Sequence, residues 1–435
     1  MTTAQTFEKF IANLEIEDRA QISYRYGQIT SVLNEKFRDT DSETANSLQV
    51  GSYGRRTAIK DISDLDMIYI MPPSDWDRFK DGRQSALLQE VKSAIQDRYP
   101  LTEIRGDGQV VSVTFANQEI EVVPGFENED GSFDHPDTHN GGSWKTTDPR
   151  SEITEIANFD QSKNGNLRCL CKMMRAWKNK HGVSMGGLLI DTLGYNFLQT
   201  TKYFDDKSFM YFDEFVRDFF EYMANLPEQE YFHAPGSNQR VYCETPFQTK
   251  AKRAYKLSLN AIEAEGQLNV SDKWKKIFGR PFPGQIVKMD KAMEAEGRVQ
   301  NSWRNTEQFI EDKYPIDIRY NLKIDCEVKQ NGFRQFNLLD MLARKIPLLA
   351  SKKLHFEIAS INVPKPYRVE WKVLNRGEVA QRKDCLRGQI VNDEGSNQKT
   401  ESTDFRGPHI VECYAIKNNV VVAKDRIDVP IESGE

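Results

Sequence analysis

The sequence predicts an α+β chain: a mixed sheet with helices, then a helical lobe, then a small β-rich domain. Three observations predict it. Asp66-Met67-Ile68-Tyr69-Ile70-Met71 is apolar, β-branched and aromatic, and it stops at Pro72-Pro73, so it reads as a buried strand. Residues 167–180 repeat apolar side chains at helical spacing. Beyond residue 310 short alternating runs are punctuated by Pro, Asn and Gly, as in a sandwich.

The elements follow in order. Residues 6–38 read as two helices. Thr6 is placed to cap the first, with Phe7, Phe10, Ile11 and Leu14 as its stripe, and Asp18 starts the second. A polar loop leads to a short strand ending at Val50, and the Asp66 strand comes next. Residues 84–98 read as a helix, and 110–115 with 118–123 as a hairpin of strands. Residues 127–150 are rich in Gly, Asp, Asn and His and read as a loop. His135 and His139 would suit zinc on a helix, but Pro136 makes a helix there unfavourable, so no zinc is expected. Trp144 is placed either to stack on a base or to pack where sheet and helices meet, and packing is expected.

Helices are expected again over 167–180, 208–225 and 247–264. The resulting division is 1–150 for the sheet with N-terminal helices, 151–285 for the helical lobe, 286–310 for a charged linker and 311–435 for the β-rich domain. In that last domain strands are expected over 316–328, 356–361, 367–375, 388–391, 409–417 and 419–428, with a helix or turn over 338–349.

Length and composition set limits. The 435 residues suffice for about two or three domains. A formal net charge of -6 argues against an extended nucleic-acid surface, which favours a basic face. None of the six cysteines forms a Cys-x-x-Cys pair, so a reducing, cytoplasmic setting is expected. The first residues lack a basic and apolar leader, and no apolar run approaches 18 residues, so neither a signal peptide nor a membrane span is expected.

The chemistry concentrates in Gly51-Ser52-Tyr53-Gly54 and Asp64-Leu65-Asp66. Alternate strand residues share a face, so Asp64 and Asp66 point the same way. Two desolvated carboxylates repel, and a hard divalent cation such as Mg²⁺ (or Mn²⁺) resolves the conflict. The Gly-Ser pair offers amides and a hydroxyl to a phosphate. Together these suggest nucleotidyl transfer, which uses two metal ions and calls for a third acid. Glu119 and Glu121 share one face of the next apolar strand, and spacing alone does not choose between them. A lone Gly-Ser pair is usually a turn and a lone Asp-x-Asp usually a solvated strand end; their ordered combination is the signal.

The pattern GSYGRRT, SDLDMIYIMP and IEVVPGF resembles the bacterial relatives of cyclic GMP-AMP synthase and oligoadenylate synthase, the CD-NTases of CBASS anti-phage systems. The resemblance covers residues 1–285 and implies a polymerase-β-like nucleotidyltransferase core of mixed sheet and helical lobe. It selects Glu121 as the third acid, where many members have Asp. It implies that Asp64, Asp66 and Glu121 are catalytic and metal-binding. Gly51, Ser52 and Lys172 would bind the triphosphate of ATP or GTP. Arg168, Lys172 and Arg175 form a basic stripe, which without the upstream motif would read as a solvated face. Relatives often carry serines where Gly186 and Gly187 stand; here backbone amides or Ser184 would take over.

The tail, with the run YRVEWKVLNRG, Asp404-Phe405-Arg406-Gly407 and residues 409–415, resembles a sensor domain found beside adenylyl and guanylyl cyclases and CD-NTases. That implies a ligand at the C-terminal domain, for which Trp371, Arg376 and Arg406 are candidates; otherwise Trp371 is core and the arginines lie on turns. The expected activity is Mg²⁺-dependent joining of nucleoside triphosphates into a cyclic oligonucleotide that acts on a CBASS effector. The alternatives are a toxin modifying tRNA or protein, and a non-catalytic nucleotide-sensing module. Net acidity weighs against the first and the three acids against the second.

Overall fold

The computed structural model describes residues 2–60, 64–116, 118–284, 308, 310–329, 336–344, 346–349, 352–375, 388–393, 395, 397–403 and 407–432. The chain divides into two compact units, one built from Met1–Glu43 and Leu48–Lys288, the other from Thr44–Ser47 and Met289–Glu435.

The first unit opens with α1 (Thr3–Asn13) and α2 (Arg19–Arg38). The cap of α1 is Thr2, not Thr6. Its hydroxyl accepts from the Gln5 amide at 3.3 Å while Gln5 Oε1 accepts from the Thr2 amide at 3.0 Å. This reciprocal box satisfies two helix-end donors at once, which Thr6 alone cannot do. Phe7 and Phe10 are fully buried and meet Trp274 and Phe278 at ring-centre distances of 5.2 and 4.7 Å. Thus α1 joins the helical core, whereas α2 buries Ile22, Tyr26, Ile29 and Leu33 against the sheet.

Next come β1 (Ser47–Gln49), the short helix α3 (Gly51–Gly54) and β2 (Asp64–Ile70). They precede α4 (Trp76–Phe79), α5 (Gln84–Arg98), β3 (Glu103–Asp107), β4 (Val110–Phe115) and β5 (Gln118–Glu127). The order across the sheet is β1-β2-β5-β4-β3. β2 and β5 run parallel, while β4 is antiparallel to both its neighbours. Leu65, Met67 and Tyr69 are buried on one face of β2, beside Ile120 and Val122.

The stretch read as a loop is a β-hairpin: β6 (Phe133–Asp137) pairs β7 (Ser143–Thr147), and β6 extends the sheet from the end of β5. The turn uses Asn140, Gly141 and Gly142, all at positive φ. Polar composition hid the hairpin, whose pairing is carried by backbone bonds, with Phe133 as its buried aromatic anchor. Within it His139 Nδ1 lies 2.7 Å from Asp137, and Lys145 Nζ lies 2.6 Å from the same carboxylate. Trp144 packs at 4.8 Å from Trp76 and donates its indole N–H to the Lys80 carbonyl at 2.9 Å.

The helical part is α6 (Pro149–Ser162), α7 (Asn166–His181), α8 (Gly187–Thr200) and α9 (Phe212–Asn225), a small β8–β9 hairpin (Tyr231–His233, Arg240–Tyr242), α10 (Gln248–Ile262) and α11 (Val270–Phe278). Its core is strongly aromatic, with Trp177, Phe212, Phe215, Phe219 and Phe220 buried together.

The second unit is a β-sandwich. One sheet holds β10 (Leu322–Lys329), β11 (Phe336–Asn337), β13 (Lys353–Ile361) and β16 (Gln398–Ser402) in the order β11-β10-β13-β16. The other holds β12 (Leu348–Leu349), β14 (Arg368–Asn375), β15 (Ile390–Asn392), β17 (Gly407–Lys417) and β18 (Val420–Glu432) in the order β12-β18-β17-β14-β15. Inner residues of both sheets, among them Ile324, Phe356, Trp371 and Val429, share one core. The expected strand from 316 begins only at Leu322, because the amides of Asp317 and Arg319 bond instead to carbonyls of β18. Trp371 is 1% exposed and donates to Asp393 at 2.9 Å, so it is a core residue and offers no face to a ligand. Arg376 and Arg406 lie outside the described residues, as does nearly all of the expected linker.

Candidate active site

The register of β2 against β5 settles which carboxylates meet. Asp64 stands opposite Glu119 and Asp66 opposite Glu121. Partners in a pleated sheet share a face, so all four acids rise on the same side, with Ser112 of β4 opposite Glu121. The apolar alternates fill the opposite side. Burial raises the Asp66 carboxyl above its ordinary range; Arg55 opposes the shift and the like charge of Asp64 adds to it.

Among the described residues no three acidic, histidine or cysteine side chains converge closely enough to ligate one ion. The metal-binding triad expected from Asp64, Asp66 and Glu121 is therefore aligned by register but not drawn together. Like charges on adjacent strands favour rotamers that hold them apart. The donor set is nevertheless all hard oxygen on one face, which fits a divalent magnesium or manganese ion.

Gly51 joins the Gly51–Gly54 turn, the candidate phosphate site, to this face. Its φ is +61°, and a methyl group there would overlap the Asp66 carboxylate. The Val50 amide donates to the Asp66 carbonyl at 3.0 Å, and Tyr26 OH donates to the same carbonyl at 2.9 Å. Ser52 lies one residue on, and its carbonyl accepts from the amides of Thr57 and Ala58 at 2.9 and 3.1 Å.

Behind the turn lies a buried ionic network absent from the sequence-based set. Arg55 Nε donates to Asp191 Oδ2 at 2.9 Å, Arg175 Nη1 donates to Asp191 Oδ1 at 2.6 Å, and Thr57 Oγ1 donates to Asp191 Oδ2 at 2.9 Å. Glu152 adds a second carboxylate, 3.4 Å from Arg55. Asp191 is fully buried. Burial works against its charge, but Arg175 and Arg55 outweigh it and hold the carboxyl below the ordinary range.

Arg175 Nη2 also donates to the Gly187 carbonyl at 3.0 Å, and a Cβ on Gly187 would lie 4.0 Å from that of Ser52. The network thus ties the Gly51–Ser52 turn, α7 and the Gly186–Gly187 turn into one piece. Arg55 and Asp191 are 136 positions apart, so no spacing rule pairs them; the available signal was a charge at each end of two glycine turns.

The basic stripe divides. Lys172 Nζ is 2.5 Å from Glu15, so the candidate triphosphate lysine is already paired. Arg168 lies 3.4 Å from Asp160. Lys178, three residues beyond Arg175, lies within the electrostatic reach of Asp64. Burial and Arg175 lower its pKa, and Asp64 partly restores it.

Two family models match the chain. The Second Messenger Oligonucleotide or Dinucleotide Synthetase domain (SMODS) matches residues 1–159, and the Adenylyl/Guanylyl and SMODS C-terminal sensor domain (AGS_C) matches residues 304–432. A probable cyclic nucleotide synthase of Bacillus cereus strain VD146 is 22% identical over 272 residues, spanning 54% of this chain and 81% of that protein. Among solved structures, the CdnC:HORMA-deltaN complex of E. coli MS115-1 is similar at a TM-score of 0.52 and 14% identity, covering 65% of this chain and 98% of that one. Vibrio cholerae DncV cyclic AMP-GMP synthase, solved with a linear intermediate, gives 0.45 and 13%, covering 65% and 87%. With the sheet, the turn and the acids in place, the chain carries a second-messenger nucleotide synthetase (SMODS) domain over residues 1–159 and a C-terminal sensor domain of the AGS_C type over residues 304–432, and it shares the fold of the CdnC complex.

Proposed function

We propose that this enzyme joins nucleoside triphosphates, ATP and GTP among them, into a cyclic oligonucleotide second messenger that acts on an effector in anti-phage defence. The observation that carries the reading is the placement of Gly51–Ser52 directly against Asp66, with Asp64 and Glu121 on the same face. The SMODS match and the Bacillus cereus relative support it.

Asp64, Asp66 and Glu121 would hold Mg²⁺, which when bound neutralises charge on the attacking and leaving oxygens. Gly51, Ser52 and the amides of Gly186 and Gly187 hold the donor triphosphate, with Lys178 a cation within electrostatic reach of Asp64. A ribose hydroxyl oxygen bonds to the α-phosphorus, the bond to the β-phosphate bridging oxygen breaks, and pyrophosphate leaves. Glu121 accepts the hydroxyl proton. A second attack, by a hydroxyl of the linear product on the α-phosphorus of its own 5′-triphosphate, releases a second pyrophosphate and closes the ring.

The test is mass spectrometry of the full chain incubated with four NTPs and Mg²⁺, beside the Asp64→Asn/Asp66→Asn double variant. A cyclic product made only by the unsubstituted chain supports the reading. Linear products alone, or consumption that survives the double substitution, would sink it.

A further inference from the structure

The C-terminal sandwich carries an open cavity of about 500 Å³ lined by Tyr314, Tyr367, Arg368, Asn392, Asp393 and Asn397. Small-molecule sites span roughly 300–1,000 Å³ and combine apolar or aromatic walls with a few polar groups. The charges around this one are sorted by their partners. Glu370 is 1% exposed and accepts from Lys313 Nζ and Tyr314 OH, each at 2.7 Å. Arg368 stands 3.9 Å from that carboxylate, so Glu370 is satisfied without it. The guanidinium lies 4.9 Å from the Tyr314 ring centre and gives one bond to Asn419 at 3.0 Å. It is half exposed, its plane is held by the ring, and further donors remain.

Asp393 is the acid that would repel an anion here, but its oxygens are engaged. They accept from Trp371 Nε1 at 2.9 Å and from the amides of Gly395 and Asn397 at 2.7 and 2.9 Å. The side-chain amides of Asn392 and Asn397 make no hydrogen bond to protein among the described residues. An arginine with donors to spare, a second tyrosine and two amides form a set suited to a planar nitrogen heterocycle bearing an anionic group. Amides pair with base edges, tyrosine stacks on base faces and arginine forks onto phosphate.

We propose that this cavity binds a nucleotide, with the base against Tyr367, its edge at Asn392 and Asn397, and its phosphate at Arg368. The nucleotide is either a cellular one or the product of the chain's own catalytic unit.

The experiment is photoaffinity labelling of the full chain with 8-azidoadenosine monophosphate, followed by peptide mapping. A monophosphate has no pyrophosphate to lose, so labelling reads binding whether or not the chain makes a cyclic product. The expected result is label on the peptides holding Tyr314 or Tyr367, competed by adenosine monophosphate. Arg368→Ala and Tyr367→Ala should each raise the half-saturating concentration at least tenfold while label in residues 1–284 is unchanged. Stronger competition by a cyclic dinucleotide than by the monophosphate supports the proposal and assigns the product as ligand; the reverse supports it and assigns a cellular nucleotide. Label confined to residues 1–284, label indifferent to both substitutions, or competition equalled by inorganic phosphate would overturn it.

Discussion

Gly51 and Asp66 are in contact across the edge of the sheet: the space that a side chain on Gly51 would occupy is filled by the Asp66 carboxylate. The turn proposed to offer amides to a phosphate and the acid proposed to offer oxygen to a metal are therefore placed by the same contact. Gly51→Ala is expected to displace Asp66 as well as strain a residue at φ +61°. Pyrophosphate release should fall about 10²-fold, as for a reacting group moved by about an ångström. Stopped-time assays with intact secondary structure by circular dichroism check it.

Asp191→Asn removes the negative charge shared by Arg55 and Arg175, turns one of its two acceptor oxygens into a donor and leaves the two cations buried without it. The loss should be about 3–5 kcal/mol of folding stability, read by urea titration. Ligand-bound crystal structures of the variant should show the Gly51 and Gly187 turns moved apart.

The same residue sets an acid limb. Its folded pKa lies below the unfolded value, so its contribution is fully present above the unfolded pKa and is lost as pH falls through the folded one. Stability of the unsubstituted chain should therefore drop below about pH 4 more steeply than that of Asp191→Asn. Parallel urea midpoints across pH 3–6 decide this; identical slopes would refute it.

Gly186 and Gly187 should differ in their tolerance of serine. A Cβ on Gly186 meets nothing within 4 Å, whereas one on Gly187 lies 3.2 Å from Arg175 Nη2. Gly186→Ser is expected to keep activity and lower KM for the triphosphate, by about threefold if one new hydrogen bond forms. Gly187→Ser should lower kcat by pushing the guanidinium that holds its own carbonyl. Steady-state kinetics on the two variants separate these outcomes.

The two lysines of α7 should also part. Lys178→Met is expected to raise KM for the triphosphate, by about tenfold if one charge-assisted contact is lost. Lys172→Met removes a partly exposed pair with Glu15 and should cost at most about 1 kcal/mol of stability. A larger KM effect at Lys172 than at Lys178 would reverse the assignment.

Much of the fold was legible where periodicity is strong. The β2 run and the Asp64–Asp66 pair needed only alternation, because a buried strand leaves its polar residues one face. The helix around Trp177 was legible for the same reason at helical spacing. The β6–β7 hairpin was not, since its pairing rests on backbone bonds under a polar composition. Trp144 was read as a packing residue, but its partner Trp76, at 4.8 Å, was not legible in the sequence.

By itself the sequence determined which residue types stand at each end of the two glycine turns and along the acidic strands, because those follow from local conformation and alternation. Only the tertiary structure decided which of them meet. Strand register set Asp66 beside Glu121, and the buried carboxylate of Asp191 drew Arg55 and Arg175 together because a desolvated charge must find its partners wherever the chain places them. The same requirement placed Lys172 on Glu15.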